Sequence, residues 1–296
     1  MLPLPTCMQW DNMRWLLRKI KFYLFINSFI CSIAAATACI AACVETSDNR
    51  TETVFAARYI GVAIRIFAVL GWFHWISSFK EVIYGPKRSA PTTAENVAIL
   101  VRIFLVVIPT EVVSASVGVA LNAPPETPYW SYLEEYVYFI PKSLALEVIF
   151  DFFHYGMHWV CHQIPTLYKH VHKRHHLHLH PTPLSTYEQD GVDLVLTNVL
   201  PMVLAFSLGP RVSPLQLQLV LAYKTYVEIA GHSGLDIKGF SFPQMPLLSL
   251  SSACLRVHDH DLHHTHPAYN FAKRFSLWDK LFGTFKAPKT VTAAAY

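Results

Sequence analysis

The sequence predicts an all-α, polytopic membrane helix bundle with a helical cap on its cytosolic side, and three observations carry the prediction. Hydrophobic residues fill 53% of the 296 positions and charged residues only 15%, with a positive mean hydropathy, a balance that suits a chain partly solvated by lipid. Apolar residues gather in runs of about the 20 residues that cross a bilayer. The polar loops between those runs alternate in charge.

The first run, residues 22–44, follows Arg14, Arg18, Lys19 and Lys21 and predicts a first span; its Ala-rich end leaves a cleaved signal peptide as the rival reading. The acidic loop after it carries the sequon Asn49-Arg50-Thr51, so Asn49 is a glycosylation candidate on the lumenal side. Residues 55–76 form a second span, followed by Lys80, Lys87 and Arg88 on the cytosolic side. Arg58 and Arg65 within it are expected to snorkel or to face the bundle. A third run, 97–121, leads to a loop with three acids and no base, and a fourth, 136–160, returns to the cytosol. The stretch 192–230 is interrupted by Pro201 and by Gly209-Pro210, which predicts a hairpin of two shorter helices. The expected division is a membrane region of about three spans at 1–135, a catalytic domain at 136–287 and a tail at 288–296.

Composition also excludes functions. The net charge of +4 is dispersed, so no nucleic-acid surface is expected, and the six cysteines include no CxxC pair, so neither a zinc finger nor a disulfide scaffold is expected. Histidine is the outlier: 16 are present, and all but His74 lie between residues 154 and 266. His74, close to Trp72 and Trp75 near a helix end, reads as a membrane-interface residue.

Four groups of histidines stand out. His154, His158 and His162 recur every four residues on one helix face. His172, His175 and His176, and again His260, His263 and His264, repeat the spacing i, i+3, i+4, from which three rings are expected to converge. His232 lies at the end of the hairpin in Gly231-His232-Ser233-Gly234. Imidazole ligates iron, zinc, copper or nickel, and nine such groups exceed what one mononuclear centre takes, so the cap is expected to carry a di-metal site. The nearby acids Asp151, Glu188, Asp193, Asp259 and Asp261 are expected to accept the free ring N–H groups. The surplus His170, His178, His180, His258 and His266 are expected outside the ligand set. Charge alternation puts every box on the cytosolic side, beside the basic segment 169–174.

With these residues in view, the chain resembles the fatty acid hydroxylase and sterol desaturase superfamily over residues 151–287. The carriers are Asp151, then His158-x3-His162, then His172-Lys173-Arg174-His175-His176, with Leu167-Tyr168 between them. The ten-residue interval to His172 favours His158 and His162 over His154 and His158 as the first box. His232-Ser233-Gly234 resembles the family's intermediate histidine. The stretch His260-Asp261-Leu262-His263-His264, Asn270-Phe271 and Trp278 to Thr284 resembles the sterol-acting members, such as the cholesterol 25-hydroxylases and methylsterol oxidases. Asp193 stands where many members carry glutamate, and His154 is an extra histidine.

The resemblance implies a multi-pass protein of the endoplasmic reticulum membrane whose histidine boxes face the cytosol and hold two iron ions. The implied reaction is hydroxylation or desaturation of a membrane lipid, a sterol above all, with O2 as co-substrate and electrons from cytochrome b5 or an NAD(P)H-dependent reductase. A fatty-acyl or sphingoid-base hydroxylase or desaturase would use the same site. From another class, divalent-metal transport or storage is the rival; scattered acids within the spans, such as Glu111 and Glu147, speak against it.

Overall fold

The computed structural model describes residues 7–47, 51–79, 83, 91–122, 131–237 and 240–288. Asn49 and the basic residues Lys80, Lys87 and Arg88 lie outside them. Seven main helices are described: α1 (Cys7–Ser47), α2 (Thr51–Ile76), α3 (Thr93–Leu121), α4 (Tyr132–Gln163), α5 (Gly191–Leu208), α6 (Pro214–His232) and α7 (Val257–Thr265). Cys254 and Phe275 form an isolated antiparallel bridge.

Three helix starts follow from local side-chain chemistry. Thr92 with Glu95, Ser131 with Glu134, and Ser213 with Gln216 form reciprocal caps in which the hydroxyl accepts an otherwise orphaned amide and the longer side chain accepts the cap residue's own N–H. The turn from α5 into α6 is made at Gly209, where a Cβ would meet the Ala205 carbonyl oxygen at 2.6 Å and Leu146 at 2.7 Å.

Pro201 does not divide its helix, contrary to the sequence expectation. Residues 195–199 form a wide turn just before it, and residues 103–107 do the same before Pro109 in α3. Each wide turn makes room for a residue without an N–H, so the helix passes through its proline. The carbonyls thereby released find side chains: Tyr59 donates to the Phe104 oxygen at 2.8 Å, and His154 Nδ1 donates to the Thr197 oxygen at 2.5 Å. The break falls at Gly209-Pro210 alone.

Four described helical segments are long and apolar enough to cross a membrane: residues Ile20–Val44 of α1, then α2, α3 and α5. Helix α4, expected as the fourth span, is not among them, because Glu134, Glu135, Lys142, Glu147 and Asp151 interrupt its apolar character. The contacts Phe25–Trp75, Phe29–Trp72 and Thr37–Gly61 run in opposite chain order, so α1 and α2 are antiparallel. Helix α1 also packs on α6, and α4 packs on α5.

The bundle's interior carries charge as well as apolar side chains. Lys224 on α6 reaches Glu111 on α3 at 2.8 Å and Glu228 at 3.2 Å. Lys273 reaches the same Glu228 at 3.3 Å, and Arg274 Nε donates to Glu147 on α4 at 2.6 Å. Arg65 is buried beside Glu111 and donates to Thr225, while Arg58 donates to Ser116. Thus the acids that look scattered along the sequence are each met by a base in one continuous network. An isolated charge at this depth costs several kcal/mol or more, which is why they occur together.

Candidate metal centre

The nine box histidines gather into two clusters, the second buried throughout and the first with His162 and His176 partly exposed. His158, His162, His172, His176 and His263 form the first; His175, His232, His260 and His264 form the second. Within each cluster the candidate donor nitrogens all lie within 4.8 Å of one another. Both i, i+3, i+4 boxes are divided between the clusters instead of converging, which corrects the sequence expectation. At about 100° per residue, positions i and i+4 differ by about 40°, whereas i+3 and i+4 differ by about 100°. In α7 His260 and His264 therefore turn one way and His263 the other; residues 172–176 are not α-helical but pass from a wide turn (Tyr168–His172) through Lys173 and Arg174 into a 3-10 turn (His175–Leu177), and there His172 and His176 part from His175.

Backbone and carboxylate acceptors set the ring orientations. His158 Nδ1 donates to the Phe271 carbonyl at 2.7 Å, His263 Nδ1 to the Tyr269 carbonyl at 2.7 Å, and His232 Nδ1 to the Glu228 carbonyl at 2.8 Å. His172 Nδ1 donates to the Asp193 carboxylate at 2.8 Å. A neutral ring that donates through Nδ1 presents a bare lone pair at Nε2.

In the first cluster His158 Nε2 faces His172 Nε2 at 3.1 Å, and His176 Nε2 lies 3.1 Å from His172 Nε2 and 3.2 Å from His162 Nε2. In the second, His232 Nε2 lies 2.9 Å from His260 Nε2 and 3.3 Å from His175 Nε2. Facing lone pairs repel unless a cation lies between them. The Nε2 atoms of His263 and His264 are buried and have no hydrogen-bond partner. Imidazole nitrogens at about 2.1 Å from a transition metal stand about 3 Å apart when adjacent in octahedral geometry, so the spacing and the donor set both fit a metal ion in each cluster.

The rings also rest on a strap of chain, residues 271–275, whose five successive amides are taken by two buried carboxylates. Asp279 accepts Phe271 N–H at 2.8 Å and Ala272 N–H at 2.9 Å. Asp151 accepts the N–H groups of Lys273, Arg274 and Phe275 at 2.7, 2.8 and 2.9 Å. Ahead of the strap, Asn270 adopts a left-handed backbone (φ 59°), and its amide side chain bridges the carbonyls of Asp259 and Lys286. The carbonyls on either side of Asn270 are the two that orient His263 and His158. Asp151 was expected to accept a ring N–H; it supports the strap instead.

Burial sets the protonation of the clusters. It pushes His232 down to about 4 and His263 down to about 3, the accepting carbonyls only partly opposing it. Burial, followed by repulsion from neighbouring rings, holds His175, His176, His260 and His264 well below their ordinary value of 6.5. Neutral rings are what metal ligation needs. Because these values are depressed in the folded state, unfolding takes up protons below about pH 6.5, and the stabilisation present above that pH is lost as pH falls toward 3–4. Metal-free protein is therefore expected to lose about 1.4 kcal/mol per pH unit for each histidine that protonates only on unfolding. Thermal unfolding of chelated protein at pH 7.5, 6 and 5 measures this; an unchanged midpoint would contradict it.

The other predicted residues fall outside the two clusters. His154, on the Thr197 carbonyl, belongs to neither. Asp261 meets His180 Nδ1 at 2.8 Å. Glu188 pairs with Arg102 at 2.7 Å, and Asp259 accepts the Arg256 N–H. Gln189, 3.4 Å from His175 Nδ1, was not anticipated, nor were the carbonyl acceptors, which no side-chain pattern announces. Asp193→Asn keeps the shape but removes the charge behind His172; metal affinity of the first cluster is expected to fall about tenfold, at the low end of such outer-partner effects. Competitive metal titration of the two proteins checks this.

Residues 143–284 match the fatty acid hydroxylase family. A fatty acid hydroxylase of Lecanicillium sp. is 33% identical over a segment covering 53% of this chain and 43% of that protein. Lathosterol oxidase of Rattus norvegicus is 31% identical over 49% of this chain and 43% of its own, and cholesterol 25-hydroxylase of Homo sapiens 29% identical over 47% and 49%. The chain thus spans about half the length of these curated relatives. No solved structure matches.

Proposed function

From a fatty acid hydroxylase domain at residues 143–284, we propose that the protein is an O2-dependent oxidoreductase of membrane lipids, a sterol hydroxylase in the first place, with two iron ions held by its nine clustered histidines. In this reading residues 136–287 are the catalytic domain and residues 1–135 the membrane region. The observation that carries it is the division of both i, i+3, i+4 histidine boxes between two all-imidazole clusters, an arrangement suited to a pair of ions acting together. His158, His162, His172, His176 and His263 would hold one ion, and His175, His232, His260 and His264 the other. Bound there, iron supplies the redox chemistry that activates O2 toward an unactivated C–H bond, which zinc does not.

The chain's own residues bind, orient and shield. The carbonyls of residues 228, 269 and 271 and the Asp193 carboxylate keep each ring's Nε2 turned inward. A cavity of about 510 Å³, lined mainly by Phe67, Leu70, Phe73, Leu100, Leu184 and Leu235 with His74, Ser77 and Thr182, reaches Ser233, the residue after His232. Its walls suit an apolar substrate drawn from the bilayer. Exposed Lys169, Lys173 and Arg174 flank the second box and suit an acidic electron donor, cytochrome b5 or a reductase. In this reading the boxes would face the cytosol, with the protein in the endoplasmic reticulum membrane. The names of the sterol-acting relatives support a sterol substrate.

The test is 18O2 labelling of cells expressing wild-type protein or His263→Ala, with lipid analysis and metal content of the purified protein. One oxidised lipid carrying oxygen from O2 is expected to disappear in the variant while its precursor accumulates. An alkene in place of an alcohol would reassign the reaction to desaturation, and an acyl or sphingoid product would reassign the substrate. Oxygen derived only from water would overturn the proposal. Divalent-metal flux in vesicles tests the transport alternative, against which every carboxylate of the interior network is already met by a base.

A further inference from the structure

The short helix Leu277–Leu281 lies outside the four apolar segments, yet it turns large apolar side chains outward. Leu277, Leu281 and the following Phe282 are 47, 65 and 53% exposed. The fold fixes that orientation. Asp279, fully buried between the two leucines, accepts the N–H groups of Phe271 and Ala272 at 2.8 and 2.9 Å and the Thr284 hydroxyl at 2.7 Å. With the acid held inward by three donors, the leucines on either side of it cannot rotate into the core, and in water they forgo the burial that stabilises apolar surface.

The patch continues onto α4. Trp278 meets Phe152 edge to face with ring centroids 4.9 Å apart, and Phe282 stacks on Tyr155 at 5.2 Å. Phe152 and Trp159 are themselves exposed, and after Glu134 every exposed residue of α4 is uncharged. The charges of this helix point the other way: Lys142 donates to Gln216, Glu147 accepts from Arg274, and Asp151 accepts the strap amides. Lys280 is the exposed charge of the short helix, and its ammonium is already engaged. It donates to the Ser252 carbonyl at 2.7 Å and lies 4.9 Å from the centre of the Phe285 ring.

Two contacts set the depth of the patch. His154, two residues after Phe152, donates to the carbonyl of Thr197, which stands six residues inside the membrane-length segment Gly191–Leu208. Gly191 itself packs on α3, where a Cβ would meet Val106 at 3.3 Å, thirteen residues into the segment Thr93–Leu121. The contact between Phe152 and Trp278 therefore lies level with the interior of two spans. A protein partner is the poorer match, because Leu277, Leu281, Phe282, Phe152 and Trp159 expose roughly 500 Å², short of the ~800 Å² per partner that a stable interface buries. We propose that this face is immersed in the acyl chains of the leaflet on the histidine side, so that Leu277–Phe282 is a membrane-embedded element beyond the four apolar segments.

The test uses the full-length protein in phosphatidylcholine nanodiscs that contain a phosphatidylcholine with a photoreactive diazirine in its acyl chain. Adducts are mapped by mass spectrometry, and a parallel sample is footprinted with hydroxyl radicals. Adducts are expected on residues 277–282 and on Phe152 or Trp159, as on the exposed Val192 and Val195 of α5. Oxidation of Phe282, corrected for the reactivity of the free amino acid, is expected to be about tenfold below that of His170, which is exposed in the basic segment 169–174. Adducts confined to the four apolar segments, or Phe282 oxidised as readily as His170, would overturn the proposal. Protection without adducts, together with cross-links between two chains through Lys280, would assign the face to a second copy and overturn it as well. Both readouts report position rather than turnover, so the 18O2 experiment can fail or succeed without changing them.

Discussion

His232→Ala is expected to lower metal content from about two ions per chain toward one and to reduce lipid oxidation by more than about 100-fold, beyond the upper end for loss of an outer partner of a ligand. The second cluster has only four donors, so removing one leaves three, and His232 lies closest to two of the others. The first cluster has five, so His263→Ala leaves four and is expected to retain more of its metal than His232→Ala. Elemental analysis of both variants purified side by side measures the difference. Two ions per chain and undiminished product in His232→Ala would remove this residue from the site. The substituted side chain is buried at the end of α6, so a circular dichroism spectrum must accompany the comparison.

Asp151→Ala is expected to be among the most destabilising single substitutions in the chain. It leaves three buried amides, those of Lys273, Arg274 and Phe275, without their acceptor, at about 1–3 kcal/mol each. A loss of roughly 3–9 kcal/mol is of the order of a whole domain's stability, so the protein is expected to unfold at least ~10 °C lower or to fail to accumulate. Asp151→Asn keeps one acceptor oxygen and is expected to fall between. Fluorescence-monitored thermal unfolding in detergent orders the three proteins; equal midpoints for wild type and Asp151→Ala would refute the role. Because the strap carries the Phe271 carbonyl that holds His158, the first cluster is expected to lose affinity together with stability.

The boxes were legible in the sequence because imidazole is rare and its spacing is periodic. His158, His162, His172, His175, His176, His232, His260, His263 and His264 are the nine that gather. Their partition between two clusters was not read: helical geometry contains it for His260, His263 and His264, where the i+3 ring points away from the i+4 ring, but the chain at His172, His175 and His176 leaves the α-helix, and no residue pattern marks that change. Membrane segments were legible where apolar character is continuous, as in α2 and α3; α4 lacks that continuity, because its Glu147 and Asp151 turn inward to Arg274 and to the strap. Pro201 looked like a break because the wide turn that accommodates it is a backbone feature with no residue signature. The acceptors that orient the rings are mostly carbonyls, and a carbonyl is the same at every position. The visible mark of that arrangement is Asn270, whose side chain and left-handed backbone the turn requires.

The two-ended fastening of residues 271–275 bears on how fast a loaded site could be stripped. A chelator must reach donors that are buried, and His158 cannot swing aside while the chain at Phe271 is held by Asp279 and the following amides by Asp151. Release from the first cluster would then wait for the segment from Asn270 to Lys286 to detach as one cooperative unit. The half-life of the ion in excess chelator should therefore be independent of chelator concentration and equal to the opening time of those amides in hydrogen exchange.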